Sequence, residues 1–168
     1  RLQKTLRDEE LPEITEENVE AFRKAQIASI ETQWHEAVRE VFDFLRPREY
    51  GGHKTNQVER VGDKVVLTGW VRAGWYGGCQ LHHYHEPQAQ ALERVLAGLD
   101  GNGHVAREHY SELYRVMRES RLWSGETTYY AWKAHKNGNL HLRFKRPDLV
   151  RKLNAMAGGA RLAGGKAA

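Results

Sequence analysis

Residues 127–145, TTYYAWKAHKNGNLHLRFK, constrain this chain more than any other stretch, because two alternating runs flank Asn137-Gly138. Asn-Gly is the preferred centre of a type I′ two-residue turn, in which both central positions take positive φ. The stretch therefore reads as a β-hairpin whose turn sets the register. Lys136 faces Asn139, His135 faces Leu140, Ala134 faces His141 and Trp132 faces Arg143. Strand side chains alternate between two faces. In this register one face carries Tyr129, Ala131, Leu140, Leu142 and Phe144 and covers a core. The other carries Tyr130, Trp132, His141, Arg143 and Lys145, an aromatic and basic surface.

The segments around the hairpin suggest an α+β fold. Thr15 with the acids behind it has the character of a helix start. From there Val19, Phe22, Ile30, Trp34, Val38, Val41, Phe42 and Leu45 recur largely at three- and four-residue steps, giving a long amphipathic helix that ends before Pro47. Phe22, Trp34 and Phe42 are core or interface positions. KVVLTGWVR (64–72) is β-branched and apolar enough for one strand. The glycines of AGWYGGCQLHHYHE (73–86) break any period. QAQALERVLAGL after Pro87 and VAREHYSELYRVMRES (105–120) form helices, the latter with Leu113, Val116 and Met117 inward. Pro147 suits the first position of a last helix, with Leu149, Val150, Leu153 and Met156 as its buried stripe. The expected architecture is this long N-terminal helix, a small and mostly antiparallel sheet with the C-terminal hairpin central, and three further helices. Residues 1–16 read as a flexible acidic arm, 17–157 as a single domain and 158–168 as a disordered Gly/Ala tail.

Charge narrows the class of partner. The formal net charge is +4 over 168 residues, but its distribution is uneven. Residues 133–168 hold nine Lys and Arg against the single acid Asp148, leaving 17 basic and 21 acidic residues for the rest of the chain. Opposite signs at the two ends suggest a polyanionic partner for the basic end. With 29% charged residues and a mean hydropathy of −0.74, no apolar run approaches a membrane span. The N-terminal stretch is too polar for a secretory signal. The lone cysteine, Cys79, rules out an internal disulfide framework and a Cys-rich zinc site, and fits a reducing cytoplasm.

Three groups of residues could carry chemistry. Tyr130, Trp132, Lys136, His141, Arg143, Lys145 and Arg146 form the candidate nucleic-acid interface, cations meeting phosphates and aromatic rings stacking on bases. Within it His141, with Asn139, could pair proton transfer with phosphate stabilisation, as a metal-independent nuclease requires. In HHYHE (82–86), a strand would place His83 and His85 on one face as metal ligands. Third and fourth ligands cannot be placed beside them, His104 and His109 being candidates only through folding, so the expectation is that no metal is held there. No cofactor is expected; zinc or magnesium enters only with the enzyme reading. Lys54, Thr55 and Asn56 after Gly51-Gly52 could present donors to a phosphate, without the Walker spacing.

At HKTN…VGDKVVL (53–67), LERVLAGLDG (92–101) and HKNGNLHLRFKRPDLVRKLN (135–154), the chain resembles a bacterial and phage family, domain of unknown function 4942, over roughly residues 30–157. The residues that match its last motif are Asn137, Gly138, Asn139, His141, Phe144, Arg146, Asp148, Leu149 and Asn154. Members of that family occur in phages and mobile elements, sometimes fused to or labelled as DNA methyltransferases. The resemblance implies a nucleic-acid context, DNA before RNA, with a methyltransferase or another protein as a further partner. This chain has neither a Gly-rich cofactor loop nor an Asp/Asn-Pro-Pro-Tyr motif, so methylation by the chain alone is not expected. The leading expectation is a nucleic-acid-binding accessory domain. The alternatives are an enzyme acting on nucleic acid or nucleotides, and a protein-interaction module that docks through its long helix.

Overall fold

The computed structural model describes residues 14–46, 60–74, 77–102 and 109–164, and side chains up to residue 158. The expected arm at 1–13, the 47–59 loop with Lys54, Thr55 and Asn56, and His104 lie outside the described residues. In chain order the elements are α1 (Glu16–Leu45), β1 (Lys64–Leu67), β2 (Val71–Ala73), β3 (Cys79–Leu81), a 3-10 turn (His83–His85), α2 (Glu86–Leu99), α3 (Glu112–Ser120), β4 (Ser124–Glu126), β5 (Tyr130–Ala134), β6 (Leu140–Phe144) and α4 (Pro147–Gly164). The fold is α+β. It divides into two units, Arg1–Trp34 and His35–Ala168.

In the first unit, Thr15 caps α1 as its sequence suggests. Its Oγ1 accepts the Asn18 N–H at 3.2 Å and its carbonyl accepts that of Val19 at 3.0 Å. Glu16 and Glu17 add negative charge to the first turn, where the helix dipole favours it. The apolar stripe is solvent-facing here: Val19, Phe22, Ile27 and Ile30 are all exposed, and Phe22 is no core residue.

The second unit holds the core. The last turns of α1 contribute Val38, Val41, Phe42 and Leu45, all buried. Four strands form an antiparallel sheet in the order β1-β6-β5-β4, so the C-terminal hairpin is central as its pattern suggests. The expected strand 64–72 is broken in two. Thr68 and Gly69 form a turn, with Gly69 at a φ of 76°, and the chain leaves the first sheet to pair β2 with β3 in a second. The helix expected over 105–120 begins at Glu112, with Ser111 as its cap, and residues 103–108 lie outside the described residues. The last helix runs on to Gly164, beyond the point where a disordered tail was expected. Four alanines between 155 and 163 supply helix propensity that the intervening glycines only partly offset.

The central hairpin differs from the sequence expectation in one respect with large consequences. Gly138 has a φ of 88°, whereas Asn137 is not among the residues of positive φ, so the turn is not type I′. Instead the Gly138 N–H donates to the His135 carbonyl, and the His135 N–H donates to that of Asn139, both at 2.9 Å. Lys136, Asn137 and Gly138 thus make a three-residue connection with a left-handed glycine closing it. The Asn137 side chain accepts the Asn139 N–H at 3.2 Å and rigidifies the corner. One extra turn residue shifts the pairing by one: Trp132 faces Leu142, and Lys133 faces His141.

A one-residue slip moves side chains to the opposite face. Tyr130 and Trp132 therefore join Leu140, Leu142 and Phe144 in the core, at 0% and 2% exposure, while Ala131 turns to the outer face. The Trp132 ring lies against Gly125 of β4, where an added Cβ would sit 2.9 Å from it. Trp132→Ala should therefore cost about 3–5 kcal/mol of stability as a large buried aromatic. Arg143→Ala on the outer face should stay within about 0.5 kcal/mol. Urea denaturation measures both, and equal effects would refute this register.

Candidate nucleic-acid interface

The same register brings a set of cations onto the outer face of the four-stranded sheet. In one cross-strand row Lys64 of β1 faces Arg143 of β6, followed by Ala131 and Glu126. In the next row Val66, His141, Lys133 and Ser124 lie side by side. Lys64, Lys133, His141 and Arg143 are all exposed. Directly opposed like charges, such as Lys64 and Arg143, disfavour a strand pair. Among the described residues, no ion pair joins Lys64, Lys133 or Arg143 to an acid. Glu126, the acid in the row, is engaged by the Lys145 ammonium at 2.7 Å.

The candidate residues separate accordingly. His141 and Arg143 stand on this face, and Lys136 is exposed at the turn that caps it. The His141 and His135 rings lie 4.2 Å apart. Asn139, by contrast, is buried at 6% exposure. Lys145 is held by Glu126 and by the Thr127 carbonyl, to which it donates at 2.8 Å. Arg146 spans two carboxylates, Asp148 at 2.7 Å and Asp100 at 2.9 Å, and so ties the start of α4 to the end of α2. Its guanidinium holds the Asp148 carboxyl down to about 2, mainly through their hydrogen bonds, and its own pKa is pushed up. Tyr130 and Trp132 cannot stack on bases from inside the core.

Lys64 and Lys133 were missed by the sequence reading. Lys133 would have followed from alternation in the correct register. Lys64 had no signal, because only the fold sets β1 beside β6.

His83 and His85 do not form a strand pair. The 3-10 turn sends His85 onto Trp70, stacked at 4.6 Å and 2°, with Nδ1 2.6 Å from Gln88 Oε1. His83 lies against Tyr84, ring centroids 3.7 Å apart. Among the described residues, no three His, Cys, Asp or Glu side chains converge as a metal site would need. Burial pushes the Cys79 thiol up to about 11, so it is no ready nucleophile.

Tyr130 has a structural task instead. Its hydroxyl donates to Glu93 at 2.8 Å, and the same carboxylate accepts the Glu112 and Leu113 N–H groups at 2.7 and 3.0 Å. These two N–H groups open α3, so a buried carboxylate on α2 caps a neighbouring helix. Desolvation raises the Glu93 pKa despite these hydrogen bonds, which favour the charged form. A raised folded-state pKa makes this carboxyl's contribution greatest below its unfolded value of 4.5, and it is lost as pH rises through the folded one. Tyr130→Phe removes a donor to the charged form, so Glu93 should titrate higher still. Where Glu93 is charged, the variant should lose about 1.5–3 kcal/mol. The loss should shrink as pH falls and Glu93 takes up its proton; denaturation as a function of pH measures it.

The domain thus carries a four-stranded antiparallel sheet with one face in the core and a basic outer face. Residues 1–162 match the family model described as Domain of unknown function (DUF4942), and the chain belongs to that family. No curated protein and no solved structure matches the chain. Among the described residues, no helix is long and apolar enough to cross a membrane.

Proposed function

We propose that this chain binds nucleic acid through backbone phosphates, as an accessory domain in a DNA-modification or mobile-element setting. The observation that carries the reading is the pair of cross-strand rows placing Lys64, Lys133, His141 and Arg143 together on one exposed sheet face. Lys136 extends the positive surface at the hairpin turn. Single-strand binders add aromatic platforms on which bases stack, and here Tyr130 and Trp132 are in the core. Duplex DNA, gripped by its phosphates, is therefore the preferred form. Contacts to phosphate position a protein without reading sequence, which suits a domain that holds a partner such as a methyltransferase on DNA. The resemblance to phage and mobile-element proteins points the same way.

Affinity for duplex DNA should fall with salt, with a log–log slope of about −0.9 for each phosphate neutralised. Lys133→Ala/Arg143→Ala should shallow the slope by about two such increments. A double variant with wild-type affinity and slope would dismiss the outer face as the binding surface. The second reading, a nuclease, draws on the His135–His141 pair beside these cations. His141→Ala would then abolish turnover and leave binding nearly intact.

A further inference from the structure

A separate cleft lies in the same unit, between the two-stranded sheet and α3. Arg72 of β2, Gln80 and Leu81 of β3, His83, and Tyr114, Met117 and Arg118 of α3 line a space of about 170 Å³. Its floor is apolar, Leu81 and Met117 being 4% and 1% exposed. Two arginines, a histidine, a glutamine and a tyrosine line it besides that floor, and among the described residues no acid does. The walls are held together independently of any ligand. The Cys79 Sγ lies 3.0 Å from the Leu122 carbonyl just past α3, and the Ser111 hydroxyl caps α3 through the Tyr114 N–H at 3.1 Å. Tyr114 is further held by stacking on Tyr110 at 4.6 Å.

We infer that this cleft is a binding site for a phosphate monoester. Arg72 and Arg118 reach it from a strand and from a helix, and among the described residues neither has an ion-pair partner. Two cations converging on one small cleft without an acid repel each other, and an anion between them removes that repulsion. The positive field there is felt by its neighbour: the Arg72 charge adds to desolvation in lowering the His82 pKa. Guanidinium forks match phosphate oxygens bidentately. Gln80, Tyr114 and His83 add donors for a third oxygen, which a planar carboxylate would not present. Pockets for drug-sized ligands run to roughly 300–1,000 Å³, so this space holds a phosphate and the start of its ester group, with the remainder of the ligand outside. The ester is either a free mononucleotide or the phosphorylated end of a nucleic-acid strand.

Isothermal titration of the full chain tests the site with inorganic phosphate, a nucleoside 5′-monophosphate, the parent nucleoside, and a short oligonucleotide with and without a 5′-phosphate. Phosphate and the monophosphate should bind saturably and the nucleoside should not. Arg72→Ala and Arg118→Ala should each weaken binding by about tenfold or more, as loss of a charge-assisted fork does. Both residues are exposed, so circular dichroism should show the variants folded. Arg143→Ala should leave phosphate binding unchanged, which separates this site from the outer sheet face. A monophosphate preferred over both oligonucleotides identifies a mononucleotide site; a 5′-phosphorylated oligonucleotide preferred over its unphosphorylated form identifies a strand-end site. No saturable binding of phosphate or monophosphate up to about 10 mM, or wild-type affinity in both arginine variants, overturns the proposal.

Discussion

The left-handed backbone of Gly138 is the constraint on which most of this structure depends. By closing a three-residue turn it sets β5 against β6 in the register that puts Trp132 opposite Leu142. Every other assignment on the sheet follows from that pairing. Tyr130 enters the core and meets Glu93, Trp132 covers Gly125, and Lys133 comes to stand beside His141. A glycine takes this φ without the steric cost that a Cβ imposes, so Gly138 permits the three-residue turn, and the packing of Tyr130 and Trp132 against the core selects it.

Polar side chains then act as staples between elements. Glu86 and Glu93, both on α2, take up the Ser111, Glu112 and Leu113 N–H groups at the start of α3. Asn154 of α4 behaves like a peptide group towards Val61, donating to its carbonyl and accepting its N–H, each at 2.8 Å. Lys152 donates to the Leu99 carbonyl at the end of α2 at 2.9 Å, and Arg146 reaches Asp100 beside it. Two of the charges that make the C-terminal segment so basic, Arg146 and Lys152, are thus committed to holding α4 in place. The exposed basic face is built from fewer of those charges than composition suggests, with Lys64 added from far upstream.

The elements with strong local signals were legible in the sequence. Thr15 capping α1, Pro87 opening α2, Pro147 opening α4 and the central hairpin all rest on chemistry confined to a few neighbouring residues. What could not be read depends on distant contacts or on small energy differences. Asn-Gly serves two turn geometries, and only the packing of Tyr130 and Trp132 against a core chooses between them. The break at Thr68-Gly69 separates two sheets that lie in one apolar run. Within Arg1–Trp34, Phe22 has the spacing of a core residue yet is 64% exposed, because periodicity reports a face and not what covers it. The arginine cleft gathers residues from β2, β3, the 3-10 turn and α3, a convergence that no linear spacing encodes.

The strand order carries a consequence for how the chain is assembled. β5 and β6 are neighbours in sequence and close a short loop, whereas β1 must return to lie beside β6, with Leu67 pairing Leu140. Distant pairings carry the larger loop-closure entropy and form late when local contacts are available first. Until β1 docks, β6 is a bare edge with unpaired backbone groups, the kind of surface on which other chains add. A truncated chain beginning after Leu67 would keep that edge permanently. In the complete sheet the edge passes from the five residues of β6 to the four of β1, a shorter strand that begins with an exposed lysine, Lys64.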